Sequence, residues 1–263
     1  MRFERDGRIL IAAFNNPPEN RLDIAAFEAI NKALDLLNGD DVDLLVFTGS
    51  GSVFCKGFDM AQLQSYDDMA EMMVGLKMTN GIFSRIARSP KPIIAAINGH
   101  CLGGGLEMAL ACHFRLCVEK TRLGLPEVWN GIIPGLGGIT RLSKLVGQAK
   151  ALELIALGDL FTSDEAHRLN IVNRLYPRDN FMSNVLTFAK ALLVADQRVI
   201  REVIGLVART ADLSEEDSVN ECLSDFLKGN NKIFLIRAGD MSLEAYHDEF
   251  LDAAIYLDSD IIR

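Results

Sequence analysis

Short apolar runs alternate with helix-periodic segments through the first 100 residues of the chain. Three runs, residues 8–14, 43–48 and 92–97, have the length and composition of buried strands. Between them, apolar residues recur at helical spacing over residues 23–38 and again from about residue 66 to 88. This order predicts α/β units in which helices connect parallel strands.

The remainder of the chain changes character. From residue 181 onward the periodicity is helical, and no Gly/Ser linker or internal repeat precedes it. We therefore predict an α/β core over residues 1–180 and a helical segment over residues 181–263 that packs on it. The competing architecture is a two-domain nucleotide-binding protein. Within the core, Asp23 is the expected N-cap of the first helix and Gly39 its stop.

Composition excludes several classes of protein. With 263 residues, 49% of them hydrophobic and 24% charged, the chain has the material for a large core. A net charge of -9 and an aromatic content of 7% argue against nucleic-acid binding. No apolar run approaches the ~20 residues of a membrane span, and the charged N-terminus does not resemble a signal peptide. We therefore expect a cytoplasmic protein without nucleic-acid or membrane partners.

The cysteines and histidines do not form a recognisable framework. The five cysteines are odd in number, scattered, and free of any CxxC spacing, which predicts reduced thiols in the core. The four histidines lack the spacing of metal ligands. The sequence therefore predicts no disulfide and no metal site.

A glycine-rich turn is the most informative feature of the middle of the chain. Residues 103–105 are three consecutive glycines, and residues 106–112 (LEMALAC) should be helical. Unpaired N–H groups at such a helix start can hold an anion, or a carbonyl oxygen that gains negative charge during a reaction. Alternatively, the glycines simply allow a helix and a strand to pack closely. The segment matches neither the dinucleotide fingerprint nor the phosphate-binding loop.

Two carboxylates accompany this turn. Glu107 falls in the first turn of the predicted helix, where a carboxylate often just compensates the helix dipole. Glu127 follows Pro126, which favours a helix start, and its sequence neighbours are apolar. An apolar environment raises the pKa of a carboxyl group and suits it to proton transfer near neutral pH. Sequence alone leaves open whether the two side chains meet.

Four segments together identify a family. Residues 53–60, 91–99, 102–109 and 124–142 have the sequences VFCKGFDM, KPIIAAING, LGGGLEMA and GLPEVWNGIIPGLGGITRL. In order and spacing they resemble the crotonase, or enoyl-CoA hydratase/isomerase, superfamily over roughly residues 5–178. The resemblance implies an α/β fold with a crotonase-like β/α spiral core, followed by a helical C-terminal segment that contributes to a homotrimer or homohexamer.

The resemblance also implies a chemistry. Phe58 and Gly104 match the positions whose N–H groups form the family's oxyanion hole, which binds the thioester carbonyl oxygen. Glu107 and Glu127 match the two catalytic glutamates of hydratases, and Gly135 matches the N–H that helps to hold the water. The implied reaction is reversible hydration of a trans-2-enoyl-CoA to a 3-hydroxyacyl-CoA, in fatty acid metabolism, with no cofactor other than the CoA of the substrate.

Further residues are implied to bind the substrate. The segment that lines the CoA site in the family is matched by Lys56, Asp59, Met60 and Ala61. We add Trp129, which lies two residues after Glu127, as a further substrate-binding residue. Lys56 stands where a small residue is more usual, so it either reaches a CoA phosphate or is an exposed lysine without a partner. A methionine-rich stretch after this segment either packs in the core or shapes an acyl pocket; its members are Met69, Met72, Met73, Leu76 and Met78.

The C-terminus departs from the family. It lacks the usual ending with a basic run and carries acidic residues at Asp248, Glu249, Asp252, Asp258 and Asp260 instead. Negative charge near CoA would repel its phosphates, so an acyl-carrier protein is an alternative carrier. The resemblance is also compatible with a double-bond isomerase, with another crotonase-type thioester enzyme such as a hydrolase, and with a non-catalytic scaffold of the same fold.

Overall fold

The computed structural model describes residues 1–59, 61 and 67–229. The strands in this part of the chain are β1 (Arg2–Asp6), β2 (Ile9–Phe14), β3 (Leu44–Gly49), β4 (Val53–Cys55), β5 (Ile93–Ile97), β6 (His100–Leu102), β7 (Phe114–Val118), β8 (Arg122–Gly124), β9 (Phe161–Thr162) and β10 (Arg174–Tyr176). The helices are α1 (Ile24–Asn38), α2 (Met69–Ala87), α3 (Gly104–Ala111), α4 (Gly138–Val146), α5 (Gln148–Leu157), α6 (Ser163–Arg168), α7 (Phe181–Val194), α8 (Gln197–Thr210) and α9 (Glu215–Gly229), with a 3₁₀ helix at Pro126–Asn130.

The larger sheet has the strand order β1-β2-β3-β5-β7-β10 among the described residues. β1 runs antiparallel to β2, and every other neighbouring pair is parallel. Alternate residues of β3 and β5 face two apolar clusters, one of which includes α1 and the other α7. Burial on both faces explains why these strands are continuous apolar runs in the sequence.

The smaller sheet has the order β4-β6-β8-β9, and its first three strands are parallel. The chain leaves β4 towards Phe58, leaves β6 towards Gly104 and leaves β8 towards Glu127. Since parallel strands end on one side of their sheet, three segments that are distant in sequence emerge side by side. This sheet edge is where the candidate site forms.

The predicted helix and strand order of the first 100 residues is confirmed, with small shifts at the ends. α1 has Asp23 as its N-cap, whose side chain accepts a hydrogen bond from Ala26 N, and Gly39 as its C-cap. Asp68 caps α2, so the described part of that helix begins at Met69, three residues later than expected, and Tyr66 lies outside the described residues. The sequence pattern does not predict β1, because an exposed edge strand with charged residues has little apolar periodicity.

The chain divides into two compact units, Met1–Ala208 and Arg209–Arg263. In the first unit, Phe181, Val185 and Ala189 of α7 are buried against the larger sheet. In the second unit, Arg209 pairs with Glu221 and Asp225 of α9, at 2.9 and 2.7 Å. The oligomerisation role of residues 181–263 stays a prediction, and the acidic positions from 248 onward lie outside the described residues. None of the helices in the described residues is long and apolar enough to cross a membrane.

The cysteines are free thiols. Cys55, Cys101, Cys112 and Cys117 are buried, as predicted, whereas Cys222 is exposed. Burial raises the pKa of the Cys55 thiol to about 12, so it stays protonated at neutral pH.

Candidate active site

A cavity of about 550 Å³ opens beside the edge of the smaller sheet where β4, β6 and β8 end. Its walls are largely apolar and contain two carboxylates. The described residues that line it are Arg21, Lys56, Gly57, Phe58, Met72, Leu76, Gly103, Gly104, Glu107, Pro126, Glu127, Asn130, Gly131, Ile132, Ile133, Gly135 and Leu136. Six residues with predicted roles therefore share one cavity.

Two backbone N–H groups converge in this cavity. Gly104 is the first residue of α3, where N–H groups have no helical acceptor. A Cβ built on Gly104 would lie 3.4 Å from Phe58 N, and one built on Gly57 would lie 3.1 Å from Gly104 N. Neither Phe58 N nor Gly104 N has a backbone acceptor in the part of the chain that the structure describes. The pair can therefore donate to one oxygen of a ligand.

Leu22 holds the first of these donors in place. It donates to Gly57 O at 2.8 Å and accepts from Asp59 N at 3.0 Å, so the chain on both sides of Phe58 is fixed. Gly57 has φ +93°, a left-handed conformation that favours glycine. The turn therefore depends on a glycine immediately before the donor.

Glu107 lies in the first turn of α3 with 2% of its surface exposed. Its Oε1 accepts hydrogen bonds from Leu136 N and Gly138 N, each at 2.8 Å. Burial raises the pKa of Glu107 above its ordinary value, and the two N–H groups and the Arg141 charge offset only part of that rise. Glu107 is therefore buried, and one of its two carboxylate oxygens accepts hydrogen bonds from the protein backbone.

Glu127 has a different environment. It sits on the 3₁₀ helix that begins at Pro126, with 9% of its surface exposed. Its Oε2 has no hydrogen-bond partner among the described residues. Burial, reinforced by the negative charge of Glu107, raises the pKa of Glu127 to about 7. At neutral pH Glu127 is therefore poised to give or take a proton.

The loop that carries Gly135 faces Glu107. Gly135 lines the cavity, and its carbonyl oxygen accepts from Asn80 Nδ2 at 3.0 Å. The Leu136 carbonyl accepts from Arg141 Nη1 at 2.8 Å. The N–H groups that contact Glu107 come from Leu136 and Gly138, so the Gly135 N–H remains a predicted water donor.

Sequence reasoning misses both side chains that hold this loop. Asn80 lies on α2 outside the four family segments, whereas Arg141 lies on α4 within the segment 124–142 but has no role implied by the resemblance. The one available signal is the position of Arg141, three residues after the helix-entering Gly138 in an otherwise apolar segment.

Lys56 has a partner, so the interpretation as an exposed lysine without one is wrong. Its Nζ lies 3.0 Å from Glu19 Oε1, and Arg21 Nε lies 2.7 Å from the other Glu19 oxygen. Arg21 also donates to Phe58 O at 3.2 Å, and both cations line the cavity. The resulting Lys56–Glu19–Arg21 cluster carries one net positive charge at the cavity.

The remaining predicted substrate-binding residues are not brought into the cavity by the described structure. Asp59 accepts a hydrogen bond from Ala61 N at 3.0 Å, and neither residue is among those lining the cavity. Met60 lies outside the described residues. Trp129 is 75% exposed, lies against Gly158 and is not among the residues lining the cavity. Its contribution to substrate binding stays a prediction.

The methionine-rich stretch divides between the cavity wall and the exposed surface of α2. Met72 and Leu76 line the cavity from α2. Met69, Met73 and Met78 are exposed, so they do not pack in the core of the described unit. Part of this stretch therefore forms an apolar cavity wall.

A family model described as enoyl-CoA hydratase/isomerase matches residues 4–231. The chain belongs to this family. It is 39% identical over 188 residues to a probable enoyl-CoA hydratase of Bacillus subtilis (strain 168), covering 71% of this chain and 72% of that protein. It is 35% identical over 202 residues to a crotonyl-CoA hydratase of Syntrophomonas wolfei subsp. wolfei, covering 76% of this chain and 77% of the other.

Solved structures of this family share the fold. An enoyl-CoA hydratase from Bacillus anthracis superposes with a TM-score of 0.81 at 25% identity, covering 86% of this chain and 88% of the other. A second, from Polaromonas sp. JS666, has a TM-score of 0.82 at 24% identity, covering 90% and 96%. The predicted crotonase-like β/α core is therefore confirmed, in place of a two-domain nucleotide-binding protein.

Proposed function

We propose that this member of the enoyl-CoA hydratase/isomerase family is an enoyl-CoA hydratase, which adds water reversibly to a trans-2-enoyl-CoA. The observation that carries the proposal is the pair of unequal carboxylates, Glu107 and Glu127, buried in the cavity that also receives two backbone N–H groups. The names of the relatives from Bacillus subtilis and Syntrophomonas wolfei support the same activity.

The Phe58 and Gly104 N–H groups bind the thioester carbonyl oxygen of the substrate. Negative charge accumulates on this oxygen when a nucleophile attacks Cβ, because the double bond is conjugated with the carbonyl. Donors fixed in advance by Leu22 and by the start of α3 stabilise that charge without having to reorganise.

The two glutamates divide the proton transfers. Glu107, whose Oε1 accepts hydrogen bonds from two backbone N–H groups, takes a proton from the water whose oxygen bonds to Cβ. Protonated Glu127 delivers its proton to Cα, which completes the 3-hydroxyacyl thioester. Net addition is one hydroxyl to Cβ and one hydrogen to Cα, and proton exchange between the carboxyls and solvent restores the starting state. The reverse sequence is dehydration.

The carrier is proposed to be CoA. Lys56 and Arg21 share one glutamate at the cavity and leave one positive charge uncompensated, which suits a phosphate of CoA. An acyl-carrier protein is the other carrier to be tested, since its phosphopantetheine arm also carries a phosphate. Met72 and Leu76 supply flexible apolar surface for the acyl chain.

The assembly and pathway follow from the family resemblance, the cytoplasmic location follows from the expectation of reduced thiols, and all three remain proposals. We expect a homotrimer or homohexamer in the cytoplasm, acting in fatty acid metabolism without a metal or separate cofactor. Buried thiols suit a reducing compartment. We expect the subunit contacts to bury apolar side chains at Leu223, Phe226, Leu227 and residues 233–236. Leu223 is 52% exposed, whereas the side chains of the others lie outside the described residues.

The experiment that tests the proposal is hydration of crotonyl-CoA and longer enoyl-CoA substrates, followed by loss of the enoyl absorbance. Glu127→Gln and Glu107→Gln should each lower kcat by about 10²–10⁴-fold with little change in substrate affinity, because each removes a proton-transfer group. Glu28→Gln, on the exposed side of α1, is the matched control and should leave the rate unchanged.

The same variants separate the competing functions. A wild-type protein that is inactive on short, medium and branched enoyl thioesters would support a scaffold. Isomerisation of a 3-enoyl to a 2-enoyl thioester needs one proton shuttle, so Glu107→Gln should retain it while losing hydration. Full hydration by Glu107→Gln would rule out the two-carboxylate mechanism.

A further inference from the structure

The hydrogen bonds that orient Glu107 depend on one short segment, residues 136–138. Both of its N–H donors, Leu136 N and Gly138 N, contact the same oxygen, Glu107 Oε1. A rotation of either peptide would turn a donor away and leave a buried carboxylate with fewer partners. Something must therefore fix the peptides of this segment.

Arg141 contacts the segment through the Leu136 carbonyl, which belongs to the peptide between the two donating peptides. Its Nη1 donates to Leu136 O at 2.8 Å, so the Leu136 carbonyl is bound by Arg141 while the two N–H groups are bound by Glu107. A Cβ built on Gly137 would overlap the Arg141 guanidinium, which shows how closely the two pack. Gly137 also has φ +92°, a left-handed conformation that favours glycine beside the guanidinium.

The positive charge of Arg141 acts on the pKa of Glu107 more than on the pKa of Glu127. Arg141 is partly buried, and the groups that act on it electrostatically are Glu107 and Cys112. Arg141 lowers the pKa of Glu107 but is not among the causes of the raised pKa of Glu127. A positive charge on one side of a coupled carboxyl pair biases the shared proton towards the other carboxyl.

We infer that Arg141 is a positioning residue, which orients the Leu136 and Gly138 N–H groups and keeps Glu107 ionised so that the proton of the pair resides on Glu127. This inference rests on the proposed hydratase function, because ionised Glu107 with protonated Glu127 is the form that adds water. Arg141 does not line the cavity among the described residues, so it acts on the reaction through Glu107.

Three substitutions of Arg141 separate the effect of its charge from the effect of its hydrogen bond to Leu136 O. Arg141→Lys keeps the charge and one donor, Arg141→Gln keeps a donor without charge, and Arg141→Met loses both. Arg122→Gln is the control, since Arg122 is also an arginine that donates to a backbone carbonyl, Leu160 O at 3.3 Å, but is not among the groups that act on Glu107 or Glu127.

The readout is the pH profile of kcat/KM together with kcat and KM for an enoyl-CoA. The acid limb reports protonation of Glu107, so Arg141→Gln should move it to higher pH by about one unit and lower kcat about tenfold. KM should stay within about twofold. Arg141→Lys should restore the wild-type limb, Arg141→Met should lose about 10²-fold in kcat, and Arg122→Gln should match wild type.

An Arg141→Gln profile with the wild-type acid limb would overturn the inference, as would a loss confined to KM. Carbon NMR titration of the Glu107 carboxyl in wild type and Arg141→Gln gives a readout that does not depend on turnover. If wild type fails to hydrate any enoyl thioester, the proposed function fails. The Glu107 titration then still decides whether Arg141 sets the protonation of the pair: a higher pKa of Glu107 in Arg141→Gln supports it, and an unchanged one contradicts it.

Discussion

Glu107 and Glu127 are chemically identical and lie in one cavity, yet their surroundings differ in the number of donors each receives. Oε1 of Glu107 accepts two backbone N–H groups at 2.8 Å, whereas Oε2 of Glu127 has no partner among the described residues. Donors stabilise a carboxylate, and burial without donors destabilises it. This difference supports the proposed assignment of Glu107 as the base and Glu127 as the acid.

This inequality predicts how hydration depends on pH. The protonated form of Glu127 is required, and its pKa is raised to about 7, so kcat/KM should fall as the pH rises through that value. The measurement is the initial rate of enoyl-CoA hydration from pH 5 to 9 at low substrate concentration. Glu127→Gln should abolish this alkaline limb, and a wild-type rate that keeps rising to pH 9 would contradict the assignment.

Glu127 should also make the folded protein less stable at high pH. A carboxyl whose folded pKa is raised above its unfolded value of 4.5 is destabilising once ionised, and the cost is fully present above the folded pKa of about 7. Glu127→Gln should therefore raise the free energy of unfolding by about 3 kcal/mol at pH 8 and by less than about 1 kcal/mol at pH 5.

Urea unfolding at both pH values checks this prediction, with Glu28→Gln as the exposed control. The control should change the free energy of unfolding by less than about 0.5 kcal/mol at either pH. A Glu127→Gln protein that is less stable than wild type at pH 8 would show that the buried carboxylate has a stabilising partner.

Helix α2 forms one wall of the cavity. It contains a glycine, Gly81, that neither this wall nor the packing of the helix requires. Gly81 lies in the interior of α2, and a Cβ built there meets no atom within 4 Å. Since alanine favours a helix over glycine, Gly81→Ala should raise the free energy of unfolding by about 0.5–1 kcal/mol and the Tm by about 2 °C. Thermal unfolding measures this, and hydration should be unchanged because Gly81 is not among the residues lining the cavity.

Gly105 of α3 provides the contrasting substitution. A Cβ there would overlap the Cys55 carbonyl oxygen of β4, so Gly105→Ala should lower the Tm. Equal Tm changes in the two variants would show that helix propensity, rather than the close approach of α3 to β4, determines the effect. The result separates the glycines that the fold needs from those that it tolerates.

Among the helices and strands, the sequence predicts the longer elements better than the short ones. α1 with its Asp23 and Gly39 caps, β3 and β5 are visible as periodic or continuous apolar segments. β4 and β6 have three residues each and no room for periodicity, so their pairing depends on tertiary contacts. The smaller sheet, which builds the site, is therefore the part that sequence periodicity does not reveal.

In the whole molecule, the site is assembled from segments around residues 22, 57, 104, 127 and 136 that meet at the edge of one sheet. The family motifs predict that Glu107, Glu127 and the two N–H donors belong together, and the cavity contains all of them. Arg141, Asn80 and the Lys56–Glu19 ion pair are not predictable, because each depends on a distance between elements rather than on local sequence. Trp129 shows the converse, since its position two residues after Glu127 in sequence does not bring it into the cavity.

The central claim is that this molecule adds the elements of water across the double bond of an enoyl thioester. Its most direct test is incubation of wild type with crotonyl-CoA in D₂O, followed by proton NMR of the products. We expect 3-hydroxybutyryl-CoA with one deuterium at Cα, formed at least ~10²-fold more slowly by Glu127→Gln. Unchanged crotonyl-CoA, or deuterium at Cγ with a shifted double bond and no hydroxyl at Cβ, would contradict it.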